Sequence, residues 1–412
     1  VSKMPRLGFK GIAPYTWAMQ AHTHIMDTYA RYPVTLIRGS GSHAWDDQGR
    51  RYLDFVSGIA VNTLGHAHPA LAQAIGEQAR ALLHCSNLFH IPQQEALATR
   101  LAELSGLDRA FFCNSGAEAN EAAIKLARKY WHDQDSPRRC IISAGGSFHG
   151  RTLATITATG QNKVKLGFDP LPAGFTHVSL NDPGALRRAI NDDTAAILLE
   201  PIQGEGGVHV ADEGYLLAVR ALCDDTGILM MLDEIQTGMG RTGTMFACER
   251  TGIRPDILTL AKGLGGGVPI GAMLATARVA KAFGPGTHGS TFGGNPLACT
   301  AALTVLDVIE HEGLLDNARE QGDRLKRGLA ALRDRFPDIR DVRGAGLLIG
   351  AEMNAPVADI ITGCRNRGLL VLPAGPCVLR FLPPLNVTAA EIDEALEILA
   401  SVLSGETTCA IS

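Results

Sequence analysis

From Pro69 to Ile309, short apolar runs alternate with stretches whose apolar positions recur every three or four residues. Runs that stop abruptly at polar or glycine residues, with helical periods between them, predict an α/β region on a mainly parallel sheet. Four runs are expected strands: Cys140–Ser143, Ala195–Leu199, Ile228–Leu232 and Ile257–Leu260. The stretches between them suit crossover helices. In Ala117–Trp131, for example, Ala119, Ala122, Ala123, Leu126, Ala127 and Tyr130 share one face. The pattern then changes. An amphipathic stretch, Leu314–Phe336, precedes the extended pieces Gly346–Glu352, Leu369–Leu372 and Val378–Leu382, and a helix opened by the T-A-A-E capping box Thr388–Glu391. The expected organisation is a large domain over 66–313, a smaller α+β domain over 314–412, and an N-terminal segment, 1–65, that joins the smaller one.

Composition narrows the classes of function. The 412 residues carry a formal net charge of -4, which gives no general attraction to nucleic acid or anionic lipid. Any anion site must therefore be local. Nine cysteines with no C-x-x-C pair fit neither a disulfide framework nor a thiolate zinc site, so a reducing, cytoplasmic setting is expected and no metal. The longest uncharged stretch, Ala282–Leu306, is broken by glycines, prolines and His288 and reads as a loop entering a helix, not as a membrane span. Val1–Met26 shows no secretory pattern; its Lys3, Arg6 and Lys10 without an acid fit either a loosely packed arm or a trimmed organellar targeting remnant.

In open parallel sheets, ligands bind beyond the carboxyl ends of the strands. There the expected strands place Asp233 and Gln236; Lys262 before Gly263 and Gly265–Gly267; Phe148, His149 and Arg151; and Glu200, Gln203 and Glu205. Each alone has an ordinary explanation. A strand-end Asp is often a helix N-cap, a lone Lys is usually solvated, a Phe is usually core, and a glycine run is often only a turn. Their coincidence carries the reading. A fifth element is the apolar run that stops at Asn114 and Ser115, before Gly116 and Ala117. An N-cap followed by small residues leaves unpaired N–H groups at a helix start, which suits a phosphate. The loop has neither G-x-G-x-x-G nor G-K-[ST], so a single phosphate monoester fits better than a dinucleotide or nucleoside triphosphate. A phosphate cup, a strand-end acid, a flat aromatic and a lysine are what pyridoxal 5'-phosphate requires. The lysine forms a Schiff base, and the acid keeps the pyridine nitrogen protonated.

At this point the chain resembles the class III, or omega, aminotransferases of the fold type I pyridoxal phosphate family. The resemblance runs from about Met26 onward through N-S-G-A-E-A-N-E-A-A-I-K (Asn114–Lys125), S-F-H-G-R-T (Ser147–Thr152) and E-P-I-Q-G-E-G-G (Glu200–Gly207). It continues through L-D-E-I-Q-T-G-M-G-R-T-G (Leu232–Gly243), L-A-K-G-L-G-G-G-V-P-I-G (Leu260–Gly271) and H-G-S-T-F-G-G-N-P (His288–Pro296). It implies a mainly parallel central sheet in a large domain, a smaller α+β domain, and a C2 homodimer with shared sites. Lys262 would be the Schiff-base lysine and proton carrier, Asp233 would face the pyridine nitrogen, and Gln236 the phenolic oxygen. Ser115, Gly116 and Ala117 would hold the phosphate, with Thr291 supplied by the other subunit; Ser290 would also bind the cofactor, and Phe148 would stack on the ring.

Within the family, S-G-I-A-V-N (Ser57–Asn62), F-H-G-R (Phe148–Arg151) and L-R-F-L-P-P-L (Leu379–Leu385) resemble members that act on N2-acetyl-L-ornithine, with 2-oxoglutarate taking the amino group to become L-glutamate. Glutamate brings two carboxylates and acetylornithine one. The resemblance puts Arg151 on the distal carboxylate of both and Arg380 on the α-carboxylate of glutamate, with Glu205 neutralising Arg380 when the monocarboxylate binds; without the family, Arg380 and Glu205 read equally well as a domain-bridging salt bridge. Such a switch avoids a buried unpaired guanidinium. Ile59 and His149 stand where ornithine enzymes of the family carry Tyr and Trp, and Tyr29 matches a tyrosine near the substrate carboxylate. His149 itself reads as packing or as support behind the site. Succinylornithine, ornithine, N-succinyl-diaminopimelate and 4-aminobutyrate remain alternative substrates, and a catalytically silent regulatory homologue is the rival of another class.

Overall fold

A computed structural model describes residues 24–405. The chain divides into two units, Val1–Thr35 and Leu36–Ser412. In the first, the described residues 24–35 form bends and the Tyr29 ring is exposed. Most of Val1–Met26, and with it both readings of that segment, lies outside the described residues.

The second unit is organised around a seven-stranded sheet. Its strands stand in the order Arg109–Cys113, Gly271–Ala275, Ile257–Leu260, Leu229–Asp233, Thr194–Leu199, Cys140–Ala144 and Phe175–Val178. All are parallel except Gly271–Ala275, which runs antiparallel to both its neighbours. The four strands expected from the sequence are adjacent and in register, so that Leu232 stands beside both Leu199 and Leu258. Every residue of Thr194–Leu199, Leu229–Asp233 and Ile257–Leu260 is buried, which explains why these strands read as unbroken apolar runs. Full burial of each Leu, Ile or Met side chain there contributes about 1.5–3 kcal/mol.

Gly116–His132 packs on the sheet through Ala119, Ala122, Ala123, Ile124, Leu126 and Ala127, and its small side chains let helix and sheet approach closely. Tyr130, expected on that face, is only partly buried. Asn295 caps the helix Pro296–His311 by accepting from the Ala298 N–H at 2.9 Å, so the uncharged stretch enters a core helix as expected. Among the described residues no helix is long and apolar enough to cross a membrane, eight cysteines are free, and no cluster suited to a metal occurs.

C-terminal to Leu314–Arg335, an antiparallel sheet runs Ile339–Ala345, Leu348–Met353, Val378–Phe381, Leu372–Pro373. Two expectations need correction here. The piece Gly346–Glu352 begins its strand only at Leu348, because Gly346 and Leu347 make the tight turn from Ala345. Leu369–Leu372 is not one strand. Leu369–Leu370 pairs parallel with Leu53–Asp54, whereas Leu372–Pro373 pairs antiparallel with Leu379–Arg380. Pro373 has no N–H to donate, which confines that second piece to an edge. The strands Leu36–Ser40, His43–Asp46 and Arg51–Asp54 thus share a sheet with Leu369–Leu370. The final helix, Ala389–Leu403, starts at the expected box: the Thr388 N–H donates to Glu391 Oε2 at 2.8 Å, and the Glu391 N–H to Thr388 Oγ1 at 3.3 Å.

Candidate active site

Beyond the carboxyl ends of the strands lies a cleft of about 410 Å³. Among its lining residues are Ser115, Gly116, Ala117, Phe148, Arg151, Glu205, Asp233, Gln236 and Lys262. Five separate loops therefore deliver one site, as expected of an open sheet.

One wall is the start of Gly116–His132. Ser115 is its N-cap, accepting from the Glu118 N–H at 3.2 Å, while the Glu118 carboxylate accepts from the Asn114 N–H at 2.9 Å and the Ser115 hydroxyl at 3.1 Å. The Gly116 and Ala117 amides meet no acceptor among the described residues. Two free N–H groups at a helix start are an anion site. Ser290 adjoins this wall: its Oγ accepts from Asn114 Nδ2 at 3.2 Å and from the Gly293 N–H at 3.0 Å. Thr291, its neighbour, is exposed and lines no part of this cleft.

At the inner end, Asp233 is 4% exposed. Its Oδ2 accepts from His149 Nδ1 at 2.8 Å and Asn120 Nδ2 at 2.7 Å, and its Oδ1 accepts from the Ile235 N–H at 3.1 Å. Phe148 is held by its backbone N–H, which donates to Glu200 Oε2 at 2.9 Å. Burial, then the nearby Asp233 charge, hold the Glu200 carboxyl well above the usual glutamate range. Gly150, at φ +136°, lets the following turn pass so close to the helix start that a Cβ there would lie 2.9 Å from Ala117 Cβ.

Lys262 follows Ile257–Leu260 and opens a 3₁₀ turn at φ +44°, a conformation that costs a non-glycine residue about 1–3 kcal/mol. Burial pushes its ammonium below the ordinary lysine value, against an upward pull from Glu205, Asp233 and Glu200 and with help from Arg380. Its amine has no hydrogen-bond partner among the described residues.

Arg380 comes from the smaller sheet and is 2% exposed. Its Nη1 donates to Glu205 Oε1 at 2.5 Å, Gly204 O at 2.9 Å and Gln236 Oε1 at 3.1 Å, and its Nη2 to Glu205 Oε2 at 3.2 Å. Gln236 also donates to Glu205 at 3.2 Å. Burial pushes the Glu205 carboxyl up, and the bonded Arg380 guanidinium brings it back below its ordinary value. Arg151 lies over the Phe148 ring, 5.6 Å from its centroid, and pairs with no carboxylate among the described residues.

One expected substrate residue does not line the cleft. Ile59 is exposed in a turn at φ +66° and does not line the cleft, whereas Val61 does. Tyr29 belongs to the unit Val1–Thr35. Conversely, the reading of the sequence passed over Asn120, and assigned His149 no chemistry. The signal for Asn120 was available: a polar residue among Ala119, Ala122 and Ala123 on a buried helical face must find a partner.

These residues fit pyridoxal phosphate. Free amides stand where a phosphate would sit, an aromatic ring flanks the cleft, and an oriented carboxylate and an unengaged lysine face it. The model of the class III aminotransferases matches residues 25–403. The chain belongs to that family. Class III aminotransferases are pyridoxal phosphate enzymes, and so is this one. This aminotransferase is 55% identical, over 92% of its chain and 95% of the relative's, to acetylornithine aminotransferase of Thermosynechococcus vestitus. It is 51% identical, over 94% and 98%, to that of Methanocaldococcus jannaschii. Among solved structures, the aminotransferase matches the ornithine aminotransferase of Toxoplasma gondii with a TM-score of 0.90 at 36% identity, covering 93% of each chain. The N-acetylornithine aminotransferase of Stenotrophomonas maltophilia gives 0.81 at 42% identity, covering 92% and 97%.

Proposed function

We propose that this enzyme moves the δ-amino group of N2-acetyl-L-ornithine to 2-oxoglutarate, giving N-acetyl-L-glutamate 5-semialdehyde and L-glutamate, a step of arginine biosynthesis. The observation that carries this is the closed Arg380–Glu205 pair beside Arg151, which pairs with no carboxylate among the described residues. In that state the cleft offers one free guanidinium, which matches a substrate with one carboxylate. Among the described residues lining the cleft, the α-ammonium of unmodified ornithine would find no idle acid, since Glu200, Glu205 and Asp233 already accept from Phe148, Arg380 and His149. A neutral acetamide needs none.

Pyridoxal phosphate, when bound, supplies an aldehyde for the amino group and a ring that draws electrons from the substrate carbon. Gly116, Ala117, Ser115 and Ser290 would hold its phosphate, Asp233 its ring nitrogen, Gln236 its phenolic oxygen, and Phe148 its face. Lys262 would tether it, and afterwards its amine, with the ammonium pushed below the ordinary lysine value by burial, would carry the proton from the substrate carbon. Arg151 holds the distal carboxylate in both half-reactions. When glutamate enters, Glu205 gives up Arg380 to the α-carboxylate.

The same reading makes the enzyme a cytoplasmic homodimer, with Thr291 completing the partner's phosphate site. Exposed Leu82, Leu83, Leu88, Phe89 and Phe292 support a subunit contact near Thr291, and the His84 and Phe292 rings, 5.4 Å apart, join the two segments. The N-terminal segment 1–65 would complete the smaller domain, 314–412, beside the larger domain, 66–313; the pairing of Leu53–Asp54 with Leu369–Leu370 supports this.

The test is single-turnover mixing of the cofactor-loaded enzyme with N-acetylornithine, succinylornithine, ornithine, N-succinyl-diaminopimelate and 4-aminobutyrate, followed by cofactor absorbance. N-acetylornithine should react at least about 10²-fold faster than ornithine. A faster reaction with another amine would replace the substrate, and no reaction with any amine would favour the regulatory homologue.

A further inference from the structure

His149 is 1% exposed and stands behind Asp233, its Nδ1 2.8 Å from Oδ2. Its own backbone is fixed, the N–H donating to Thr159 Oγ1 at 2.9 Å and the carbonyl accepting from Asn120 Nδ2 at 2.8 Å. Asn120 has no freedom to flip. Its Oδ1 accepts from the Thr259 hydroxyl at 2.8 Å, so its amide must serve His149 O and Asp233 Oδ2. Oδ2 thereby receives two side-chain donors. Oδ1, with only the Ile235 N–H, keeps a lone pair for the cleft.

The other imidazole nitrogen decides what His149 contributes. Nε2 is buried and has no partner among the described residues. A proton there would leave a cationic N–H unmet in the interior, which costs more than an idle lone pair. The ring therefore carries its single proton on Nδ1 and donates it to Asp233. A neutral donor orients the carboxylate without cancelling its charge, whereas a Lys or Arg in the same place would compete as a counter-ion with the ring nitrogen of the cofactor.

We infer that His149 is a positioning residue which, with Asn120, clamps Oδ2 of Asp233 so that Oδ1 is the oxygen left to meet the pyridine nitrogen. This rests on the assignment of Asp233 to that nitrogen.

The experiment compares His149→Phe, which keeps a ring but no donor, with His149→Asn, whose amide nitrogen takes the place of Nδ1. Two quantities are read without turnover: the Kd for pyridoxal phosphate, and the ring-nitrogen NMR signal of bound ¹⁵N-labelled cofactor. His149→Phe should weaken binding about tenfold and move the signal toward that of an unprotonated ring, with His149→Asn restoring both. Wild-type affinity and signal in His149→Phe would overturn the inference. If His149→Phe does not fold, His149→Gln, whose donor lies one bond farther out, must show the same shift, and an unchanged signal there overturns it equally. Asp233→Asn separates the two levels: if it too leaves the signal in place, the assignment of Asp233 fails rather than the role of His149.

Discussion

Arg380 and Glu205 close on each other through bonds of 2.5 and 3.2 Å, joining the smaller sheet to the rim of the larger one inside the cleft. The guanidinium is 2% exposed and the carboxylate side chain 28%. The acid is the partner with room to move. A buried Arg that loses its acid stays behind uncompensated, at a cost of about 3–5 kcal/mol.

Glu205→Ala should therefore slow the N-acetylornithine half-reaction about 10²-fold or more and leave the glutamate half-reaction within a few-fold, because glutamate brings its own carboxylate to Arg380. Separate single-turnover rates for the two half-reactions measure this. Equal losses would remove the switch.

Lys262→Ala should abolish turnover and the absorbance of the tethered cofactor while the far-UV spectrum stays native. Replacing a strained residue at φ +44° should leave thermal stability almost unchanged or change it by about 1 kcal/mol. Normal turnover would remove the lysine from the chemistry.

Gly204→Ala tests the close approach beneath the switch. A Cβ there would lie 1.9 Å from Gln236 Oε1, in the middle of the contacts that hold Arg380. The variant should fold, since Gln236 is a side chain at the cleft edge, but its KM for both substrates should rise about tenfold or more. An unchanged KM would show that Gln236 does not need its observed place.

The Glu200 carboxyl, raised by burial and by Asp233, gives a pH signature in cofactor-free protein. Between its unfolded value near 4.5 and its raised folded value, the native state holds the proton more tightly, so stability falls as pH rises through that window. Below 4.5 both states are protonated and the effect vanishes. Glu200→Gln should flatten the decline of Tm from pH 4.5 upward, seen by calorimetry.

The sequence made the strand-end residues legible because Thr194–Leu199, Leu229–Asp233 and Ile257–Leu260 are buried on both faces, so an apolar run simply stops where chemistry begins. Asp233 and Lys262 could be located by that stop alone. Other features carry no such mark. Gly271–Ala275 follows a glycine-rich turn and runs against its neighbours, a direction that short-range pattern does not encode. The division of Leu369–Leu372 between two sheets depends on partners far away in the chain. The bond from His149 to Asp233 joins residues 84 positions apart, and only the register of the sheet brings them together.

That same long reach governs the order in which the molecule can assemble. On one side Arg51–Asp54 pairs with the nearby His43–Asp46, but on the other Leu53–Asp54 meets Leu369–Leu370, and Phe55 bonds both to Leu370 and to Leu382. The strands of the large sheet lie between residues 109 and 275 and can pair as soon as that span has left the ribosome. The amino-terminal strands can pair with one another early, but the outer edge of Arg51–Asp54 must wait for nearly the whole chain. A nascent chain halted before residue 369 would thus expose the edge of Arg51–Asp54, an open template for wrong pairing, and that segment is where a chaperone holding the unfinished enzyme has most to shield.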